Sequence, residues 1–222
     1  MAPKKYDAKV IKVENVSPEV NLLEFEILGD QEFKFIPGQY ILLKVSDTTY
    51  RPYTICSDPK TIQTFCVAAS HAHGGPGAEY TSKLRVGDQV EIIGPRGKLA
   101  LSTPPLLNII MIATGTGMSP FLGFLYQLED MDYKGKVVLH IGFRNSEDVY
   151  LEDILKQFKQ GLPNFEYIIH LSSEGNRVSS ILKDLPISKV DYYLCGHKKM
   201  VEEMSAEIEK LGVNPEHIHF EG

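Results

Sequence analysis

The chain has 222 residues, of which 43% are hydrophobic and 23% charged, so it can bury a core as one large domain or two modest ones. Its formal net charge of -6 gives no general attraction to nucleic acid or to an anionic membrane, and we expect neither as a partner. No stretch approaches the roughly 20 apolar residues of a membrane span. With no apolar run behind its first residues, the chain is predicted to be cytoplasmic and not inserted in a membrane.

No resident metal is expected from the cysteines or histidines. Cys56, Cys66 and Cys195 are an odd number at wide spacing, which suits neither a disulfide framework nor a zinc or iron-sulfur site built from paired ligands. Two histidine pairs, each predicted to share a strand face, lack a carboxylate or cysteine ligand set and are interpreted as packing or surface residues. These pairs are His71 with His73 and His217 with His219.

The first half is predicted to form short strands broken by turn residues. Alternating or apolar runs occupy Ala8–Val13, Asn21–Leu28, Tyr40–Val45, Thr64–Ala69 and Gln89–Ile93. One short helix is expected over Ala78–Leu84, between a glycine-rich entry and a Val-Gly-Asp stop. This pattern indicates an antiparallel β-barrel or sandwich.

The second half alternates apolar strands with helical segments, which is typical of right-handed βαβ units on a parallel sheet. Predicted strands are Asn108–Ala113, Val137–Gly142, Phe165–Leu171 and Val190–Cys195. Predicted helices are Met118–Asp130, Leu151–Gln160, Val178–Leu185 and His197–Leu211. We therefore predict an α/β domain, with a boundary near Thr103 that separates residues 1–102 from residues 103–222.

Three motifs follow one another along these halves: Arg51-Pro52-Tyr53-Thr54, the turn Gly115–Pro120 and Cys195-Gly196. Each is weak alone, but their order and spacing resemble the ferredoxin-NADP reductase superfamily over nearly the whole chain. The resemblance implies a flavin-binding barrel and an NAD(P)-binding α/β domain whose two rings meet at the domain interface. It also implies hydride transfer from NAD(P)H to bound FAD, which is preferred here to FMN.

The barrel motif is expected to hold the flavin. Arg51 offers a planar fork of donors that suits phosphate oxygens, and Tyr53 shares its strand face and would pack on the flavin. Thr54 is implied to act in catalysis, with its hydroxyl or amide near flavin N5. If the motif stood alone, it would be interpreted as a surface arginine beside a core tyrosine. Further expected flavin contacts are Pro52, Val67, Gly74, Gly75, Gly77, Ala78 and Thr81.

The helix after Gly77 is expected to offer its free N–H groups to the flavin phosphate. Relatives commonly carry a hydroxyl residue where Ala78 stands. One phosphate hydrogen bond must then come from backbone amides, Thr81, Ser82 or water. This departure leaves the choice of FAD or FMN less certain than the fold.

The glycine turn and the Cys-Gly pair are expected to bind the nicotinamide nucleotide. Gly115 and Gly117 follow a strand and open a helix, where the backbone must turn tightly and admit a pyrophosphate, with Thr116 and Pro120 beside them. The resemblance places Cys195, followed by Gly196, beside the nicotinamide C4, where we expect packing rather than covalent chemistry. A small buried thiol is the alternative interpretation.

Residues after the next two strands are candidates for the rest of the nucleotide. Arg144 resembles an arginine near the nucleotide phosphates, although an exposed arginine is nearly as good an interpretation. Ser172, Ser173 and Arg177 stand where the family distinguishes NADP from NAD. NADP-selective relatives often have arginine at Ser173, and Glu174 argues mildly against NADP, so the choice stays open.

The chain end resembles the family's closing strand, in which an aromatic residue often covers the flavin. No aromatic follows Glu221, so either Phe220 serves in part or the cover is absent. The acceptor is expected to be a separate ferredoxin, flavodoxin, haem protein or oxygenase component. Two alternatives stay open: an NAD(P)H:flavin reductase, and a non-catalytic flavin-binding electron-transfer subunit of a larger enzyme.

Overall fold

The structure is a computed structural model, and it describes residues 3–220. These residues fall into two compact units. The first contains the chain up to Ala100 together with Ser119–Tyr126, and the second contains Leu101–Met118 and the chain from Gln127 onward. The first unit is built on an antiparallel sheet and the second on a parallel sheet with helices, which confirms the predicted fold class.

The six-stranded sheet of the first unit has the order β4-β3-β6-β1-β2-β5. Its strands are β1 Lys4–Ser17, β2 Val20–Ile27, β3 Tyr40–Ser46, β4 Thr49–Thr54, β5 Thr64–Ser70 and β6 Gln89–Arg96. Alternate side chains point into the core, as in β5, where Phe65 and Val67 are buried and Cys66 between them is half-buried. This period of two is the pattern that the sequence predicted.

A single bridge closes this sheet into a barrel. Ile55, directly after β4, pairs antiparallel with Val67 of β5, so the two end strands of the sheet meet. The next residue, Cys56, donates its backbone N–H to the carbonyl oxygen of Cys66 at 2.8 Å. The barrel seam is therefore narrow and lies immediately after the segment that ends at Thr54.

The five-stranded sheet of the second unit has the order β11-β10-β7-β8-β9, with every neighbouring pair parallel. Its strands are β7 Asn108–Thr114, β8 Lys136–Phe143, β9 Phe165–Leu171, β10 Val190–Cys195 and β11 Ile218–Phe220. The central strand β7 is buried without interruption from Ile109 to Ala113, as expected for a parallel strand covered on both faces. Its carboxyl end leads directly into the glycine turn.

The helices are α1 Gly75–Thr81, α2 Ser119–Asp130, α3 Glu152–Gly161 and α4 Lys198–Lys210. The first begins three residues before the predicted Ala78, because Pro76 in the first turn is already preset for a helix. The predicted helix over Val178–Leu185 is a 3₁₀ helix, Val178–Asp184, so that prediction was wrong in type. Serine hydroxyls that compete with the backbone and the restriction before Pro186 both disfavour α-helix there.

Each unit has its own hydrophobic core. In the first, aromatic rings pack inside the barrel, with the Phe33 and Phe65 centroids 4.9 Å apart. In the second, β7 and β10 pack on α4 through residues such as Tyr192 and Met204. Within residues 3–220, no helix is long and apolar enough to cross a membrane.

Candidate functional site

The predicted flavin motif places Arg51 and Tyr53 together on one face of β4, against the start of α1. A Cβ built on Gly77 would lie 2.9 Å from the Tyr53 hydroxyl and 3.2 Å from Arg51 Cγ. Only glycine leaves room there for both side chains. The period of two along the strand therefore brings the two residues to one place, as the sequence analysis predicted.

Arg51 is exposed and keeps most of its donors available. One guanidinium nitrogen, Nη1, donates to the carbonyl oxygen of Tyr50 at 3.0 Å, which holds one edge of the guanidinium group. No carboxylate in the described part of the chain forms an ion pair with Arg51. A guanidinium in this state can grip a phosphate with two parallel N–H donors.

Tyr53 is half-buried, and its hydroxyl is held by Thr81. Burial raises the pKa of Tyr53, and the hydrogen bond to Thr81 works in the opposite direction. The Thr81 hydroxyl also donates to the Gly77 carbonyl oxygen at 2.9 Å, which ties this contact to α1. Tyr53 is thus fixed in orientation by α1.

Two predicted flavin contacts lie inside the barrel wall instead. Thr81 is fully buried, so its hydroxyl supports Tyr53 and α1 and cannot reach a phosphate. Val67 is also fully buried, and its side chain packs in the barrel core beside the seam. The sequence could not separate these positions from surface ones, because burial here depends on how the barrel closes.

The other predicted flavin residues are accessible. Thr54 ends β4 opposite Tyr40 and is half-buried, while Pro52 is exposed on the same strand. Gly74 precedes α1 with no side-chain cap, and Gly75 and Ala78 lie in or near its first turn. The backbone N–H groups at this end are therefore not capped by the Gly74 position.

In the second unit, the glycine turn packs directly on the end of β10. The turn Gly115–Met118 is a 3₁₀ helix between β7 and α2, and Pro120 stands in the first turn of α2. A Cβ on Gly117 would lie 2.6 Å from the carbonyl carbon of Cys195, closer than real side chains come. Gly117 is therefore required for the close approach of the turn to the Cys195–Gly196 segment.

Thr114 ties the two segments together. Its hydroxyl oxygen accepts a hydrogen bond from the backbone N–H of His197 at 2.8 Å. Thr114 also lies against Gly196, where an added Cβ would be 2.9 Å from the Thr114 backbone nitrogen. The carboxyl ends of β7 and β10 thus form one fixed edge, with Cys195 half-buried at it.

Sequence reasoning missed Tyr150 at this edge. The Tyr150 hydroxyl donates to the carbonyl oxygen of Gly115 at 3.3 Å, and its ring is buried against Phe143. A tyrosine 35 positions away carries no local signal of such a contact. Tyr150 therefore supports the glycine turn from outside the motif.

The predicted adenosine-end residues lie at the ends of β8 and β9. Ser173 donates its backbone N–H to the Arg144 carbonyl oxygen at 3.0 Å, so these two loops adjoin. Ser172 and Ser173 belong to a 3₁₀ turn, Ser172–Glu174, and Arg177 precedes the next one. Arg144, Ser173 and Arg177 are exposed and Ser172 is half-buried.

A buried histidine pair supports this loop and was also missed. His140 Nδ1 and His170 Nε2 are 3.1 Å apart, and His170 Nδ1 is 3.0 Å from the Asn176 side-chain oxygen. Because that oxygen accepts, His170 donates from Nδ1, and His140 then donates to His170. Burial, and secondarily the neighbouring His170, lower the pKa of His140 to about 4.

The other histidine pairs differ from their predicted positions. His71 and His73 lie in a turn, because β5 ends at Ser70. Burial lowers the pKa of His71. His217 precedes β11 and His219 lies in it.

The last pair does have a carboxylate partner. His217 Nδ1 and His219 Nε2 lie 3.0 Å and 3.3 Å from one oxygen of the buried Asp191, contrary to the prediction that no carboxylate accompanies them. The three residues are brought together by the pairing of β10 with β11. Among residues 3–220, no group of three or more His, Cys, Asp or Glu side chains is placed to hold a metal ion.

Phe220 ends β11 opposite Leu194 and is 49% exposed. It is available to contact a ligand, as one of the two predicted alternatives requires. The question of a terminal aromatic cover also concerns Glu221 and Gly222. These two residues lie outside the described residues.

Two family profiles match the chain. The oxidoreductase FAD-binding domain matches residues 7–101, and the oxidoreductase NAD-binding domain matches residues 111–206. The two matches follow the same order as the antiparallel and parallel sheets. Together they cover most of the described chain.

Known proteins are similar to this chain along nearly all of its length. The toluate 1,2-dioxygenase electron transfer component of Pseudomonas putida is 30% identical, over 97% of this chain and 67% of that protein. Ferredoxin-NADP reductase B of Sorangium cellulosum is 27% identical, over 97% of this chain and 96% of that protein. The crystal structure of a ferredoxin-NADP⁺ reductase from Plasmodium falciparum has the same fold, with a TM-score of 0.85, 23% identity and coverage of 98% and 95%.

Proposed function

Because the chain belongs to the ferredoxin-NADP reductase superfamily, we propose that Arg51 and Tyr53 bind its flavin and that the Gly115–Gly117 turn and Cys195 bind its nicotinamide nucleotide. The protein is an NAD(P)H-dependent flavoprotein reductase with FAD as cofactor. It transfers electrons from NAD(P)H through FAD to an acceptor. The two functional domains that we propose are residues 1–102 and 103–222.

The flavin assignment rests on the space that Gly77 leaves for the side chains of Arg51 and Tyr53. The missing side chain lets Arg51 and Tyr53 lie side by side, so one strand presents a cation and an aromatic ring at the start of α1. This combination fits a phosphate joined to a flat apolar ring system. When bound, FAD accepts a hydride from the nicotinamide and releases electrons one at a time.

The chain's own residues orient and bind in this proposal. Arg51 neutralises phosphate charge, while the hydrogen bond between Tyr53 and Thr81 keeps the tyrosine ring in one orientation. Thr54, next along the strand, offers a half-buried hydroxyl and amide beside them. The accessible first-turn amides of α1 take the place of the hydroxyl that Ala78 lacks.

In the proposed nucleotide site, the close approach of two backbone segments forms most of the binding surface. Gly117 brings the turn against Cys195, and Thr114 holds the following loop through His197 N–H. The backbone of Gly115 and Thr116, half-buried at this edge, suits a pyrophosphate, and the half-buried Cys195 thiol gives the nicotinamide a small packing surface. Gly115, Thr116, Pro120 and Gly196 complete this edge in our proposal.

The adenosine end is proposed to lie at Arg144, Ser172, Ser173 and Arg177. The backbone contact between Arg144 and Ser173 supports a single binding surface at the ends of β8 and β9. Two arginines favour the additional phosphate of NADPH, whereas Glu174 on the same turn opposes it. NADH and NADPH are therefore compared directly in the test below.

We further propose that the acceptor is a separate one-electron carrier protein. Two similar proteins carry names that describe such roles, an electron transfer component of a dioxygenase and a ferredoxin-NADP reductase. A ferredoxin, flavodoxin, haem protein or oxygenase component would each suit an electron pair delivered in single steps.

An anaerobic visible spectrum tests the proposal. The purified protein is recorded before and after addition of NADH, and a fresh sample before and after NADPH. We expect a bound-flavin spectrum that bleaches with one nucleotide faster than with the other. A protein that stays colourless when FAD is supplied would overturn the flavin site, and bound flavin that neither nucleotide reduces would overturn the nucleotide site. Flavin lost on gel filtration would favour the flavin reductase alternative.

A further inference from the structure

The seam of the barrel brings two cysteines opposite each other. Ile55 pairs antiparallel with Val67 in an isolated bridge, and this pairing places Cys56, the residue after Ile55, beside Cys66, the residue before Val67. The Cys56 backbone N–H donates to the Cys66 carbonyl oxygen at 2.8 Å, and the Cys56 thiol reaches the same oxygen at 3.3 Å. Both are free thiols.

This register meets the distance requirement of a disulfide. Opposed residues in an antiparallel pair have Cα atoms about 4.5–5.5 Å apart, and their side chains point to the same face. Disulfides join residues whose Cα atoms are about 4.4–6.8 Å apart. A pair with ordinary antiparallel geometry therefore lies within disulfide-bonding range.

The surroundings give the two sulfurs different accessibility. Cys66 is half-buried and points outward from β5, between the inward-facing Phe65 and Val67. Cys56 is buried, and the hydrogen bond with the Cys66 side chain, followed by burial, raises the pKa of the Cys56 thiol. An oxidant therefore meets Cys66 first, and Cys56 is in place to react second.

We propose that Cys56 and Cys66 form a reversible disulfide that staples the barrel seam when the protein meets a small-molecule disulfide oxidant. The Cys66 thiolate attacks glutathione disulfide, forming a mixed disulfide and releasing one glutathione thiolate. Cys56 then loses its proton and attacks Cys66 Sγ, which breaks the mixed disulfide and releases the second glutathione. Two protein thiols are oxidised and one glutathione disulfide is reduced to two glutathiones.

The proposed disulfide lies next to the proposed flavin-binding segment, which ends at Thr54. It would link the residue two positions after Thr54 to β5, where a single bridge otherwise closes the sheet. The disulfide itself does not rest on the flavin assignment, because it follows from the register alone. Its formation can therefore be tested whether or not flavin is bound.

Tryptic digestion gives a direct readout on the folded full-length chain. The protein is incubated with glutathione disulfide, its remaining thiols are alkylated, and it is digested without reductant. Trypsin cuts after Lys44, Lys60 and Lys83, so Cys56 and Cys66 fall in different peptides. We expect peptides 45–60 and 61–83 to be joined, with loss of alkylation at two of the three cysteines. Dithiothreitol should separate them and restore both labels.

Variants separate this bridge from other thiol chemistry. Cys195→Ser should leave the joined peptides unchanged, whereas Cys66→Ser should abolish them. Glutathione attached to Cys66 while Cys56 remains open to alkylation would overturn the proposal. Joining that occurs only after unfolding in guanidinium chloride would overturn it as well, and neither outcome would bear on whether the protein binds flavin.

Discussion

The two units build their candidate sites by different means. In the antiparallel barrel, side chains of one strand supply the functional groups, since Arg51 and Tyr53 alternate along β4 and meet α1. In the parallel sheet, the backbone supplies them, since the turn at Gly117 and the segment Cys195–Gly196 approach each other too closely for a side chain. The first site is specified mainly by the side chains that β4 presents beside Gly77, and the second by the close approach of two backbone segments at Gly117.

This difference predicts how each site should fail. A side-chain site loses one interaction when one side chain is removed, and the rest of the surface stays in place. A backbone site fails when a side chain is added, because both segments must then move apart. Truncation of Arg51 or Tyr53 should therefore weaken the first site, and addition of a side chain at Gly117 should disrupt the second.

Gly117→Ala should have the largest effect. The new Cβ would be 2.6 Å from the Cys195 carbonyl carbon, at a position that is already buried. Overpacking of this kind costs about 3 kcal/mol, and the same displacement should weaken NAD(P)H about 100-fold. Urea unfolding measures the first, and nucleotide titration of the oxidised protein measures the second.

Thr116→Ala is the matched control, because it truncates the neighbouring residue and leaves the turn backbone unchanged. It should alter stability by no more than about 0.5 kcal/mol. If Gly117→Ala binds nucleotide as well as the unaltered protein does, the close approach has no role in binding.

Arg51→Ala should remove a charge-assisted hydrogen bond of about 1.5 to 3 kcal/mol and weaken flavin about 10- to 100-fold. Flavin fluorescence quenching gives the dissociation constant. Arg85→Ala, an exposed arginine on the same unit, controls for the loss of one positive charge. Equal affinity in the Arg51 and Arg85 variants would remove Arg51 from the site.

The buried His140 predicts acid sensitivity in the second unit. Its pKa is about 4 in the folded chain, below the ordinary value of 6.5, so the unfolded chain binds a proton first as pH falls. Stability is then fully present above about pH 6.5 and is lost as pH falls toward 4. The loss between pH 7.5 and pH 5 should be about 2 kcal/mol.

His140→Gln keeps a donor without titrating, so it should flatten this part of the pH dependence of urea unfolding. His73→Asn, at an exposed position, should leave the slope unchanged. A slope as steep in the Gln variant as in the unaltered chain would assign the acid sensitivity to other groups.

The sequence predicted the features that depend on local residue patterns. The period of two in the first half and the alternation of strands and helices in the second half predicted the two sheets. The spacing of Arg51 and Tyr53 placed both residues on one face of a strand. The sequence could not give contacts that depend on tertiary register. Cys56 meets Cys66 only because Ile55 pairs with Val67, and His140 meets His170 only because β8 and β9 are neighbours. For the same reason, the sequence could not show that the side chains of Thr81 and Val67 are buried.

Tyr53→Phe should have the smallest effect and is the sharpest test of how a side-chain site works. It removes only the hydroxyl that hydrogen-bonds with Thr81, and the ring keeps its packing. We expect about 1 kcal/mol of lost flavin binding, or about five-fold, with no change in the rate of flavin reduction.

Two further variants divide the role of Tyr53 into orientation and packing. Tyr53→Leu removes the ring as well, so it should weaken flavin more than Tyr53→Phe does. Tyr50→Phe removes a hydroxyl from the same strand that bonds to Glu91, and flavin affinity should not change. If the Phe and Leu variants were equally weak, the ring would contribute nothing, and the barrel site would rest on Arg51 and backbone amides alone. It would then resemble the nucleotide site in being built largely from the main chain, and the contrast between the two units would disappear.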